Sequence, residues 1–160
     1  MSLGGGGQGQ QQLQQISQEI QAIEGEIEEL EGEIEDLRQE QRDMDDAIEA
    51  IGQIETGSTV QVPLGGGAYV RAEVQDLDEI VVSLGGDYAA ELDEGDAVDA
   101  LEDRKDAIDE QIDTVSEEKA DLEAESQQLE QQAQQMQQQM QQQQMQQMQQ
   151  MADEGDDGDQ

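Results

Sequence analysis

Cysteine and histidine are both missing from this sequence, and so are phenylalanine and tryptophan. Without cysteine there is no disulfide framework and no thiolate metal site. Without histidine the commonest metal ligand and the usual general base are gone. Tyr69 and Tyr88 are the whole aromatic content, so the chain cannot assemble a large globular core. Positive charge is scarce as well: 6 lysines and arginines stand against 42 aspartates and glutamates, for a net charge of −36. Phosphate recognition needs basic patches, which excludes nucleic acid as a partner and, on the same ground, an anionic membrane surface. No apolar run approaches the ~20 residues of a membrane span. A basic segment leading into an apolar one, the mark of a secretory signal, does not occur at the N-terminus. A soluble cytoplasmic protein is the expectation.

What the chain does have is two heptad stripes. In the first, apolar residues fall at Leu13, Ile16, Ile20, Ile23, Ile27, Leu30, Ile34, Leu37, Met44, Ile48 and Ile51, with a skipped slot at Gln41. In the second they fall at Val98, Leu101, Ile108, Ile112, Val115, Leu122, Leu129, Ala133, Met136 and Met140, with Lys105, Lys119 and Ser126 in the gaps. A stripe that returns every seven residues keeps one narrow face against a partner helix. Such a seam needs only aliphatic side chains. Gly25 and Gly32 weaken the first helix by roughly 1 kcal/mol each relative to Ala, but both fall opposite the stripe. The pattern predicts a Gly-rich disordered leader over residues 1–9 and a helix over 10–56, with Gly57 as the left-handed residue that ends it. A second helix is predicted over 93–151, N-capped by Asp93 and closing on a Gln/Met-rich stretch. An acidic disordered tail covers 152–160.

Between the stripes, over residues 57–92, the period changes to two. Val60, Val62 and Leu64 alternate with other residues, as do Val70, Ala72 and Val74 after Gly65-Gly66-Gly67. Ile80, Val82 and Leu84 repeat the pattern, followed by Gly85-Gly86-Asp87 and then Tyr88, Ala90 and Leu92. These are four short strands in two β-hairpins, and Pro63 marks its strand as an edge or an end. Hairpins this small are marginal alone. Val60, Val62, Leu64, Val70, Val74, Ile80, Val82 and Leu84 are therefore the candidate oligomer interface. The fold class is mainly α with a small β part.

Both helices leave the same β segment, and the simplest closure is an antiparallel coiled-coil hairpin with Ile51 against Val98 and Leu13 near Met136. In that register Met140, Met145, Met148 and Met151 outrun the first apolar stripe. Methionine is unbranched and polarizable and adapts to irregular apolar partners. Leu13, Ile16, Ile20, Met136, Met140, Met145, Met148 and Met151 are thus the candidate apolar tip for binding.

Catalytic patterns do not hold up. Gly4, Gly6 and Gly9 fit a dinucleotide-binding spacing, but no strand precedes them. Gly65-Gly66-Gly67 is not followed by Lys and Ser or Thr, so it is a turn and not a phosphate loop. Carboxylate pairs abound, yet none is marked as buried with a raised pKa. No enzyme, no cofactor and no metal are expected.

The order helix, two hairpins, helix, with Val62-Pro63-Leu64-Gly65-Gly66-Gly67-Ala68-Tyr69-Val70 leading the first hairpin, resembles the α-type subunit of archaeal prefoldin. Ile80-Val81-Val82-Ser83-Leu84-Gly85-Gly86-Asp87-Tyr88 is similar to that family's second hairpin turn, and Ala97-Val98-Asp99-Ala100-Leu101 to its helix start. The resemblance covers roughly residues 10–140. It implies a hexamer of two α-type and four β-type subunits whose hairpins close into a β-barrel body. It also implies capture of unfolded protein clients without ATP and their delivery to a group II chaperonin. The Gln/Met extension and acidic tail depart from the family pattern, so the tip residues do not follow from the resemblance. The competing class is a structural coiled-coil spacer that oligomerises through its hairpins and binds one fixed partner.

The acid carries its own expectation. Low lysine with abundant Asp and Glu suits a cytoplasm at molar ionic strength, where the Debye length shrinks to roughly 3 Å. The expected register places Glu26 near Glu125 and Glu33 near Glu118, like charges along one flank of the seam. Helicity followed by circular dichroism should therefore fall as KCl drops well below molar; a flat trace would contradict adaptation to high salt.

Overall fold

The computed structural model describes residues 5–155. Helix α1 spans Gly5–Gln53 and helix α2 spans Glu94–Glu154. Between them lie strands β1 (Thr59–Gly65), β2 (Ala68–Glu73), β3 (Ile80–Gly85) and β4 (Tyr88–Leu92). They pair as two separate antiparallel hairpins, β1 with β2 and β3 with β4. The described residues fall into two compact units, one of Glu33–Val115 and one of the helical segments up to Gly32 and from Ser116 onward.

In the unit of Glu33–Val115, the core is Met44, Ile51, Val82, Ala97, Leu101 and Ile108, with Leu37, Ile48, Ile80 and Leu92 packed at its margin. It is a helix seam with one hairpin laid against it. Polar contacts hold the antiparallel sense. The Gln41 amide donates to the Lys105 carbonyl at 3.1 Å and to Asp109 Oδ1 at 2.6 Å. Four residues on, Asp45 takes the Lys105 ammonium. The skipped slot at Gln41 is thereby filled by an amide that satisfies α2. Arg104 Nη2 meets Glu40 Oε1 at 2.8 Å and its Nη1 donates to the Ser83 carbonyl at 2.9 Å, which ties β3 to both helices.

In the other unit, Ile16 and Ile23 are buried on the α1 side, and Ser126 on the α2 side. Lys119 Nζ lies 3.1 Å from Glu31 and 3.5 Å from Glu123. The Sδ of Met140 lies 3.0 Å from the place a Cβ on Gly9 would take. These pairs keep the register read from the stripes. The two lysines in the second stripe thus reach out of the seam to carboxylates of α1. The hydrogen bond to Asp45 holds the Lys105 ammonium above its ordinary pKa, and that to Glu31 does the same for Lys119. Gly25 and Gly32 are exposed with open space around them, as their place opposite the stripe requires.

Helix limits differ from the sequence reading. Helix α1 begins at Gly5 rather than near residue 10, and within this added stretch Gly9 lies against Met140. Residues 1–4 of the expected leader and 156–160 of the expected tail lie outside the described residues. At its other end α1 stops at Gln53. Gly57 does take a left-handed φ of 91°, but within the turn into β1, where its N–H donates to the Val74 carbonyl at 2.7 Å. Ser58 closes that turn: its Oγ accepts from the Glu55 N–H, and its own N–H donates to the Glu55 carbonyl, both at 2.9 Å. Asp93 caps α2 as read, its Oδ1 accepting from the Asp96 N–H at 2.8 Å, with Glu94 and Asp96 favourable in the first turn. Helix α2 runs through the Gln/Met stretch to Glu154, consistent with the high helix propensity of both residue types.

Ile108 is 5% exposed within the core. Ile108→Ala should lower stability by about 2–4 kcal/mol in denaturant unfolding at molar KCl. A loss well under 1 kcal/mol would contradict its place in that core.

Candidate binding surfaces

The hairpins share one design. In β1–β2, Val60 opposes Ala72, Val62 opposes Val70 and Pro63 opposes Tyr69, and then the register shifts so that Gly65 opposes Ala68. In β3–β4, Ile80 opposes Leu92, Val82 opposes Ala90 and Ser83 opposes Ala89, with the same shift before Gly85 and Tyr88. Each hairpin therefore carries a bulge at a leucine, Leu64 or Leu84, just before its glycine turn. Gly66 and Gly67, at φ of 60° and 81°, form a two-residue turn with both central residues in the left-handed region. That turn matches the right-handed twist of the strands, and a side chain at either position would be strained.

Directly opposed residues share a face, so Val60, Ala72, Val62 and Val70 form one apolar face of β1–β2. Val62, Val70 and Leu64 stay open, Leu64 at 68% exposure, while Val60 and Val74 are half-buried. The corresponding face of β3–β4 packs on the helices instead. Val82, read from sequence as an interface residue, is buried in the core, and Ile80 is half-buried at its margin. Leu84 remains exposed. The two hairpins thus divide what alternation alone made equivalent: β3–β4 packs Val82 into the core, whereas Val62, Val70 and Leu64 of β1–β2 are left exposed. Three exposed residues escaped the sequence reading of this surface, Val81, Tyr69 and Tyr88. The available signal was that the only two aromatics sit beside the glycine turns.

The tip candidates are also divided. Ile16 is buried, and Leu13, Ile20, Met136 and Met140 are half-buried along the seam. Leu13 reaches the surface in a shallow recess shared with Gly7, Gln10, Gln14 and Ser17. Met145, Met148 and Met151 are exposed, at 69%, 71% and 75%. They stand among glutamines that are exposed too. Among the described residues the open apolar groups of this stretch are therefore three thioethers of α2, while Ile16 is buried and Ile20 half-buried.

Among the described residues no group of His, Cys, Asp and Glu could hold a metal ion, and no helix is long and apolar enough to cross a membrane. What the geometry offers is two apolar surfaces, one on a hairpin and one on a helix end.

A model of the prefoldin subunit family matches residues 23–154. Prefoldin subunit alpha of Halorubrum lacusprofundi is 75% identical over 95 residues, which are 59% of this chain and 62% of that protein. The alignment thus spans less than two thirds of that relative. Prefoldin subunit alpha of Halobacterium salinarum is 71% identical over 105 residues, 66% of this chain and 67% of that protein. Among solved structures, filamentous PFD from Methanocaldococcus jannaschii matches with a TM-score of 0.49 and 27% identity, over 73% of this chain and 93% of that one.

Proposed function

The chain belongs to the prefoldin subunit family, a family of chaperones, and from that premise we propose that it is an α-type subunit that captures unfolded polypeptides at the exposed end of α2. One observation carries the reading: among the described residues Met145, Met148 and Met151 stand exposed on one stretch near the end of α2. In a chain with so little apolar surface, three unsheltered thioethers in one stretch favour a binding role. Each buried methylene contributes roughly 0.8 kcal/mol before ordering costs are subtracted, so a single contact is weak. Several subunits acting on one client would raise the effective concentration and give avidity. Capture of this kind uses no nucleotide. Release to a group II chaperonin completes the proposed cycle.

The uncovered face of β1–β2 supports the other half of the proposal. Val62, Val70 and Leu64 would be covered by hairpins of partner subunits, in a hexamer of two α-type and four β-type chains closing as a β-barrel. The chain's acidity would keep such a particle soluble in a concentrated cytoplasm.

Deleting the chain from Met136 onward should abolish suppression of client aggregation and leave assembly with partner subunits intact. Unchanged suppression would overturn the assignment of capture to this end. A spacer with one fixed partner would protect no unrelated client at all, even in the full chain.

A further inference from the structure

The acid is confined. No charged side chain occurs between Gly5 and Gln18, nor between Gln131 and Ala152, although Asp and Glu recur throughout Glu19 to Glu130. The contact of Gly9 with Met140 sets these two neutral stretches side by side. Around Met145, Met148 and Met151 every neighbour in sequence from Gln141 to Gln150 is an exposed glutamine.

We propose that this neutral surface admits unfolded polypeptides of acidic net charge, held through their apolar side chains and backbone amides. The inference rests on the reading that the end of α2 captures clients, and it names which clients need that end. A basic client is attracted to the exposed carboxylates anywhere from Glu19 to Glu130 and requires no neutral window. An acidic client is repelled from all of them. Along Gln131 to Ala152 it meets no like charge. There each glutamine amide offers two donors and an acceptor, so both the N–H and the C=O groups of an extended client find partners. The thioethers adapt to its apolar groups. Neither contact depends on the sign of the client's charge.

The test uses the full chain and two variants: Gln143, Gln146, Gln147 and Gln150 all changed to Glu, or all changed to Lys. Gln, Glu and Lys are all good helix formers, and circular dichroism confirms that α2 persists. The probes are two labelled, unfolded peptides with identical apolar positions. One carries Asp and Glu between them and the other Lys and Arg. Binding is read by fluorescence anisotropy at the lowest KCl concentration that leaves the wild-type helices intact, and again at higher KCl. The acidic peptide should bind the Glu variant about three- to ten-fold more weakly than wild type and the Lys variant at least as tightly as wild type. Higher KCl should narrow the difference by screening, leaving the part that acts at contact range.

Equal affinity of wild type and both variants for the acidic peptide would overturn the inference. So would self-association of the chain through this end that excludes the peptide. If truncation from Met136 abolishes capture while the variants stay equal, this inference fails alone and the capture reading stands. If capture survives truncation, both fail.

Discussion

Shortage of apolar surface is the constraint from which the rest of this structure follows. With no Phe or Trp, a third of its residues hydrophobic and a net charge of −36, the chain has nothing with which to fill a wide core. A helix seam is the architecture that needs least, because one residue in three or four suffices to keep a narrow stripe dry. Each unit is built on such a seam. Even there, only a minority of stripe residues, such as Ile23, Met44, Ile108 and Val115, fall below a tenth exposed. Packing is a string of small burials, and among the described residues no large side chain is fully enclosed.

The few positive charges reinforce that string. Arg104, Lys105 and Lys119 all project from α2 and all end on carboxylates of α1, Glu40, Asp45 and Glu31. Two of them occupy stripe positions where an apolar side chain would otherwise stand. Half-exposed pairs of this kind contribute little individually. In a chain that otherwise repels itself, they put positive charge where the helices approach. The same economy explains the hairpins. One of them spends its apolar face on the helix core through Val82, and the other leaves Val62, Val70 and Leu64 exposed.

Periodicity made much of this legible. The seven-residue stripes located both helices, and their apolar positions turned inward together. The register followed from placing Ile51 against Val98. Alternation and the glycine pairs located the four strands, and Asp93 announced the cap of α2. What stayed illegible depends on tertiary contact. Val62 and Val82 have the same local pattern, yet one is open and the other buried, because Val82 packs among Met44, Ile51, Ala97 and Leu101 of the helices. Ile16 looked like a tip residue by position, and burial in the seam places it underneath. The start of α1 inside a glycine run could not be read from propensity, which argues against helix there.

The central claim is that the face of β1–β2 bearing Val62, Val70 and Leu64 is completed by other chains. The most direct measurement is the mass of the native particle purified from extract at molar KCl, by light scattering. The account predicts a particle of several chains in which those three residues are shielded from hydroxyl-radical labelling. A particle with the mass of one chain and the three residues freely labelled would contradict it.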